Sequence, residues 1–283
     1  MERIHKPVLL QELRDLLNLK AGDTAIDATL DGGGHAEMLL EKVGSDGKVL
    51  GIDQDSEVVK SVNRAPNLKI ALGNFRNIDR LANKFGFSKV NAALFDLGLS
   101  TWHLKASGRG FSYQKQEEPL LMWFSKNSAS AAEIINSADV AELADIFAKY
   151  GELKNAKGLA GSIIAGRREK RVISVKDFLG AIPIKDKKKL AKVFQALRIC
   201  VNDELGALAE ALPKSFDLLF VGGMLAVISY HSLEDRLVKY FFLQKKRDGL
   251  ARILAKKPIT PSKEELESNP SSRSAKLRIL VKI

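Results

Sequence analysis

A glycine turn framed by apolar strands and carboxylates constrains this chain more than any other feature. Ala25-Ile-Asp-Ala-Thr-Leu-Asp-Gly-Gly-Gly-His35 reads as a short apolar strand, a glycine loop and the start of a helix. Val49-Leu-Gly-Ile-Asp53 reads as a second apolar strand that ends on a carboxylate. Twenty residues separate Gly33 from Asp53, the spacing between the glycine turn and the ribose-binding acid of a nucleotide-binding βαβ unit. Glycine lets backbone approach a ligand that a Cβ would exclude, and Asp53 at a strand end can accept hydrogen bonds from both ribose hydroxyls. The pattern predicts an adenosine-containing cofactor.

Charge narrows the choice of cofactor. A dinucleotide site favours Gly-x-Gly-x-x-Gly opening a helix whose N-terminus faces a pyrophosphate. Here the turn is Asp31-Gly-Gly-Gly-His35, and Asp27, Asp31, Asp53 and Asp96 crowd the expected strand ends. Four acids repel a pyrophosphate, whereas S-adenosylmethionine brings a sulfonium, an ammonium and a ribose diol that suit them. A methyltransferase is the favoured reading, and a nicotinamide oxidoreductase is the weaker enzyme alternative. A glycine turn that only closes a βα unit is the bland one.

Strand–helix alternation fills the first hundred residues, with strands expected near 24–30, 48–53, 67–72 and 90–96 and helices near 36–43, 54–63 and 76–85. The strands are almost continuously apolar, as in a parallel sheet covered on both faces. From about 106 to 190 the periodicity turns helical, as in Val140-Ala-Glu-Leu-Ala-Asp-Ile-Phe147. A helix near 191–212, a turn feeding a fifth strand within Phe220–Tyr230, a helix from Leu233 to Lys246 and a closing strand in Ser274–Ile283 complete the pattern, with Glu264–Ser274 as a surface loop. The expected organisation is an α/β doubly wound sheet built from 1–105 and 191–283, interrupted by a helical, substrate-binding insertion at 106–190.

Residues 1–105 carry 14 Lys/Arg and 14 Asp/Glu, whereas 106–200 carry 17 against 10. A neutral cofactor half joined to a basic remainder points to a polyanionic substrate, most simply a nucleic acid; lysine-coated helices are the alternative. The single cysteine, Cys200, rules out an intrachain disulfide framework and fits a reducing cytoplasm. Met1–Lys20 mixes charges with leucines, unlike a signal peptide. The apolar run Leu218–Tyr230 is too short to span a bilayer. His5, His35, His103 and His231 show no metal-ligand spacing, so no metal is expected.

Longer strings carry a resemblance. Phe95-Asp-Leu-Gly-Leu-Ser-Thr101, Gly108-Arg-Gly-Phe-Ser-Tyr113, Val193-Phe-Gln-Ala-Leu-Arg-Ile199 with Val201-Asn-Asp-Glu-Leu205, Ile228-Ser-Tyr-His-Ser-Leu-Glu-Asp-Arg236 and Asn269-Pro-Ser-Ser-Arg-Ser-Ala-Lys-Leu-Arg278 resemble signatures of the RsmH (MraW) family. His5-Lys-Pro-Val-Leu-Leu10 resembles that family's opening. The match runs end to end in order. The resemblance implies a class I, Rossmann-like S-adenosylmethionine-dependent methyltransferase fold with an inserted helical domain. It also implies methylation of the N4 amine of a cytidine in the decoding region of 16S ribosomal RNA within the small subunit. It assigns cofactor contacts to Gly33, Gly34, His35, Asp53, Phe75, Asp96 and His103, with Phe75 beside the adenine. A non-catalytic RNA-binding assembly factor that retains a cofactor pocket is the alternative from another class.

The exocyclic amine of cytosine is a poor nucleophile, so transfer demands in-line positioning and an acceptor for the departing proton. The base must also leave its stack. Asp96 could hold either the amine or the methionyl ammonium. His231 follows the fifth strand, where it either faces the base or closes the turn through Glu234 or Asp235; Asp96 and His231 are the catalytic candidates. Trp102 and Tyr113 offer stacking faces, or pack in a core or lid. One segment departs from the family, which usually continues Pro-Leu-Asp-Met-Arg-Met-Asp: here it is Pro119-Leu-Leu-Met-Trp-Phe-Ser125, with Leu121, Trp123 and Ser125 in place of Asp, Arg and Asp. Exchanged packing and altered placement of the target nucleotide are the two readings.

Overall fold

The computed structural model describes residues 6–126 and 128–283, so His5 lies outside the described residues. The chain forms two compact units, one made by the chain up to Gly98 together with Leu205–Ile283, the other by Leu99–Glu204. In the first, α1 (Leu10–Leu16), β1 (Thr24–Asp27), α2 (Gly34–Val43), β2 (Lys48–Asp53), α3 (Ser56–Ser61), β3 (Leu68–Leu72), α4 (Ile78–Lys84) and β4 (Val90–Asp96) alternate in turn. The second holds α5 (Thr101–Lys105), α6 (Ala131–Ser137), α7 (Val140–Gly151), α8 (Ala156–Glu169), α9 (Val175–Ala181) and α10 (Lys187–Asn202). The chain then returns through α11 (Glu204–Leu218), β5 (Leu219–Ser229), α12 (Ser232–Arg247), β6 (Ala251–Ile253), α13 (Lys263–Ser268) and β7 (Lys276–Lys282).

The seven strands form one sheet in the order β3-β2-β1-β4-β5-β7-β6. Strands β1 to β5 run parallel, and β7 pairs antiparallel with β5 and β6. This is the doubly wound α/β architecture: from β1 the chain steps outward through β2 and β3, then crosses to β4 on β1's other side. The crossing creates a switch point between β1 and β4, where ligands of such sheets bind at the carboxyl ends. Alternate strand residues supply two cores. Ile26, Leu50, Ile52, Ala93, Phe95 and Val227 pack with α4, α11 and α12. Ala25, Val49, Ala92, Leu94, Ala226 and Ile228 pack with α1 and α2. Burial on both faces is why these strands lack a polar alternation. Full burial of a side chain such as Phe95 contributes roughly 1.5–3 kcal/mol.

The helical unit has its own core, centred on Phe147, Phe178, Leu143, Ile163, Val193 and Leu197. Its helix starts are legible as capping boxes: Ser130 with Glu133, Asp139 with Glu142 and Ser174 with Asp177 each exchange both bonds. Three expectations need correction. The helix expected at 191–212 is two helices, because Asp203 adopts a left-handed conformation (φ 45°) and stops α10. The loop expected at Glu264–Ser274 is α13, capped by Ser262 on the Glu265 amide, followed by a 3-10 turn started by Pro270. The first strand stops at Asp27 rather than running to 30, although Ala28 and Leu30 still donate to Leu94 and Ile52 of the neighbouring strands.

Candidate functional site

The carboxyl ends of β1, β2 and β4 each end on an acid: Asp27, Asp53 and Asp96. Asp27 is fully buried, and its Oδ2 has no hydrogen-bond partner. Its other oxygen accepts from the Thr29 amide at 3.2 Å. Burial pushes the Asp27 carboxyl well above the ordinary carboxylate range, and the charges of Asp96, Asp53 and Asp31 push the same way. A desolvated carboxyl facing three other acids, with one oxygen unsatisfied, is a site that a cation would complete. Asp53 accepts from the Asp31 amide at 3.0 Å and the Asp55 amide at 2.8 Å. Those bonds order both the glycine turn and the start of α3 around it.

The glycine turn is shaped by what a Cβ would strike. Asp31 and Gly33 both lie in the left-handed region, at φ 41° and 77°. A Cβ on Gly34 would stand 2.9 Å from Pro7, and one on Gly33 would stand 3.0 Å from Val62. The turn delivers the first amides of α2, which have no intrahelical acceptor, to the end of β1. The His35 ring is 5% exposed and its Nε2 meets the Val8 carbonyl at 2.9 Å. Desolvation holds the His35 pKa below its ordinary value. The imidazole therefore ties the chain before α1 to α2, while its Nδ1 lies 3.6 Å from Asp96 Oδ2.

Asp96 is held from several sides. Its amide donates to the Thr29 hydroxyl at 2.6 Å, and its Oδ1 accepts from the Tyr230 hydroxyl at 2.7 Å. Tyr230 was not singled out in the sequence, where it looks like the last residue of an apolar strand. Pairing of Asp96 with Ile228 across β4 and β5 carries the next turn past Asp96, and the Tyr230 ring packs against Gly98. Burial, first, and the neighbouring Asp96 charge raise the Tyr230 phenol well above its usual value, so it stays a donor. His231 caps α12: its Nδ1 accepts from the Glu234 amide at 3.4 Å, and Nε2 lies 3.1 Å from Glu234 Oε1. Phe75 begins a 3-10 turn just beyond β3, edge-on to Phe95 at 5.5 Å, while the Gly73 amide before it bonds the Asp53 carbonyl. A cavity of about 230 Å³ opens at the sheet's other end, lined by Leu17–Lys20, Asn91 and Val221–Met224; it contains none of these site residues.

His103 belongs to the helical unit. Its Nδ1 lies 2.8 Å from the Ser100 hydroxyl, and its ring meets Trp102, Phe111 and Phe124 edge-on. Trp102 lies under the Arg109 guanidinium at 5.2 Å. Tyr113 and Trp123 pack, partly buried, against that unit's core. Leu121 is fixed through its backbone to Arg109 and Ala131. Reverting Leu121→Asp and Trp123→Arg together is expected to lower the melting temperature by several degrees, as charge enters a partly apolar surround. Cofactor affinity should not change. A severalfold rise in methyl transfer with no loss of stability would instead assign the segment to nucleotide placement. Part of the basic run Arg167-Arg168-Glu169-Lys170-Arg171 is used internally: Arg167 donates to the Ile135 and Ala138 carbonyls, and Lys170 pairs with Asp177 at 2.6 Å. Among the described residues no group of His, Cys, Asp and Glu has metal-site geometry.

Residues 2–283 match the model of a family described as the MraW methylase family. "Ribosomal RNA small subunit methyltransferase H" of Dictyoglomus thermophilum is 42% identical, the alignment covering 99% of this chain and 97% of that protein. The protein of the same name from Bacteroides fragilis is 39% identical over 98% and 97%; that from Carboxydothermus hydrogenoformans is 38% identical over 100% and 99%. Among solved structures, a putative rRNA-methylase from Clostridium thermocellum superposes with a TM-score of 0.50 at 15% identity, covering 98% of this chain and 99% of that one. At that identity the likeness concerns the fold alone.

Proposed function

The chain belongs to the MraW methylase family, and from that premise we propose that it methylates the exocyclic N4 amine of a cytidine in the decoding region of 16S rRNA. The enzyme is a methyltransferase, and its cofactor is S-adenosylmethionine. The observation that carries the reading is the acid set at the β1–β4 switch point, above all buried Asp27 with its unsatisfied oxygen. A methionyl group with its sulfonium and ammonium cations fits that set of carboxylates, and a pyrophosphate does not. When bound, S-adenosylmethionine supplies an electrophilic methyl group.

The chain's own residues do the rest. Gly33, Gly34 and the His35 backbone leave room for the cofactor's methionyl end, Asp53 accepts from the ribose hydroxyls, and Phe75 flanks the adenine. The family resemblance assigns a further cofactor contact to His103. Asp96, held by Tyr230 and Thr29, sits at the transfer point, where it attracts the cationic charge and can take the proton that the amine sheds. His231 keeps the Tyr230 turn closed through Glu234, so its share in transfer is to hold that geometry. The substrate is the RNA of the small ribosomal subunit, and the place of action is the cytoplasm; among the described residues no helix is long and apolar enough to cross a membrane.

Calorimetry tests the cofactor directly. S-adenosylmethionine should bind and NAD should not, and Asp53→Ala should weaken binding by about 1–3 kcal/mol through loss of charge-assisted diol bonds. Binding of NAD with no response to S-adenosylmethionine would refute the assignment.

A further inference from the structure

The sequence places its excess positive charge in the helical insertion, yet one helix of the sheet unit presents a face of different character. On α12, exposed Tyr240, Leu243 and Arg247 recur at i, i+3 and i+7 along one line, and exposed Lys239 and Lys246 flank it. Tyr240 is 63% exposed, unusual for an aromatic side chain. Both acids of α12 are engaged elsewhere, although Asp235 lies one turn before Lys239 on the same side of the helix. Glu234 is buried in the helix cap, and Asp235 is bound by Arg278 at 2.7 Å and Lys276 at 3.6 Å. Lys239, Lys246 and Arg247 have no ion-pair partner among the described residues. Lys246 and Arg247 also lie in the last turn of α12, where a cation suits the helix dipole.

We propose that this outer face of α12, Lys239, Tyr240, Leu243, Lys246 and Arg247, is a docking surface for single-stranded or looped RNA of the substrate. The proposal rests on the rRNA methyltransferase reading and adds a contact surface within the sheet unit itself. Cations spread along about 12 Å of helix match a phosphate backbone, and the tyrosine ring between them offers a stacking face for an unpaired base. Charge decides between RNA and a second copy of the chain. In a two-fold contact the same net-cationic face would meet itself, cation against cation.

The test uses the full-length enzyme, with under-methylated small ribosomal subunits as the probe. The triple variant Lys239→Glu/Lys246→Glu/Arg247→Glu changes only exposed positions. It should raise KM for subunits at least about 10-fold with kcat within about twofold, and make the salt dependence of log affinity shallower by about 2 for three phosphate contacts. Tyr240→Ala should raise KM about five- to tenfold with the salt slope unchanged. Unchanged KM and salt slope in both variants would overturn the proposal. So would a change in sedimentation of the variants with KM unaltered, which would assign the face to self-association. If the wild-type protein bound subunits through this face but transferred no methyl group, the methyltransferase reading would fail and the surface would stand.

Discussion

Asp96→Ala is expected to lower methyl transfer by about 10²–10³-fold, the scale for removing one preorganised electrostatic partner from a reacting centre. The carboxylate is fixed before any ligand arrives. Its backbone is pinned by Thr29, one oxygen accepts from Tyr230, and the side chain is about 10% exposed. A charge held so needs no reorganisation when the amine nitrogen becomes cationic. Tyr230→Phe removes only the donor that orients Asp96, so the loss should be smaller, about 10-fold. It should appear in kcat more than in cofactor affinity. Circular dichroism and melting would confirm that both variants are folded. Wild-type rates in folded Asp96→Ala would remove this residue from the mechanism.

Asp27→Asn should change how the protein responds to pH. Burial raises the Asp27 pKa, and Asp96, Asp53 and Asp31 face it from β4, β2 and the glycine turn. A carboxyl whose folded pKa exceeds its unfolded value contributes stability below the unfolded pKa, and loses it as pH rises through the folded one. The cofactor-free protein should therefore lose stability across that interval, above the ordinary carboxylate range. Asp27→Asn keeps the shape and removes the charge. Its melting temperature should exceed that of wild type increasingly as pH rises, by roughly 2–4 °C per kcal/mol of relieved burial cost. Cofactor binding should suffer about 10–100-fold, the loss of one charge-assisted bond. Binding to wild type, at a pH below the folded pKa, should release a proton, because the incoming cation favours the ionised carboxyl. Calorimetry in two buffers of different ionisation heat measures that proton. An identical proton count in Asp27→Asn would exclude Asp27 as its source.

Legibility differed with the kind of information each residue carries. The glycine turn, Asp53 and Asp96 could be read because strand ends and glycine spacing are local signals. The capping boxes at Ser130, Asp139 and Ser174 were equally local. The break at Asp203 was not: no glycine or proline marks it, and its stop is tied to a distant loop. The Asn202 side chain donates to Met122 and accepts from Phe124, which turns the chain out of α10. Strand β6, three residues long, gives too short a pattern to detect. Tyr230 depends on the register between β4 and β5, a non-local pairing. Asp27 was visible as one of four acids, but its unsatisfied buried oxygen emerges only from packing. The His35 ring followed the same logic: its place in the motif is local, whereas its bond to the Val8 carbonyl and its approach to Asp96 come only from packing.

Methyl transfer to one amine leaves its product at a single position in the RNA, and that position can be mapped. Small subunits lacking the modification would be incubated with S-adenosylmethionine carrying a labelled methyl group. Their 16S rRNA would then be digested to nucleosides and mapped by mass spectrometry. Label is expected on the N4 of a single cytidine in the decoding region, and about 10²–10³-fold less of it with Asp96→Ala. Label on a ring carbon, on a ribose hydroxyl or outside the decoding region would contradict it, as would no label above the Asp96→Ala background.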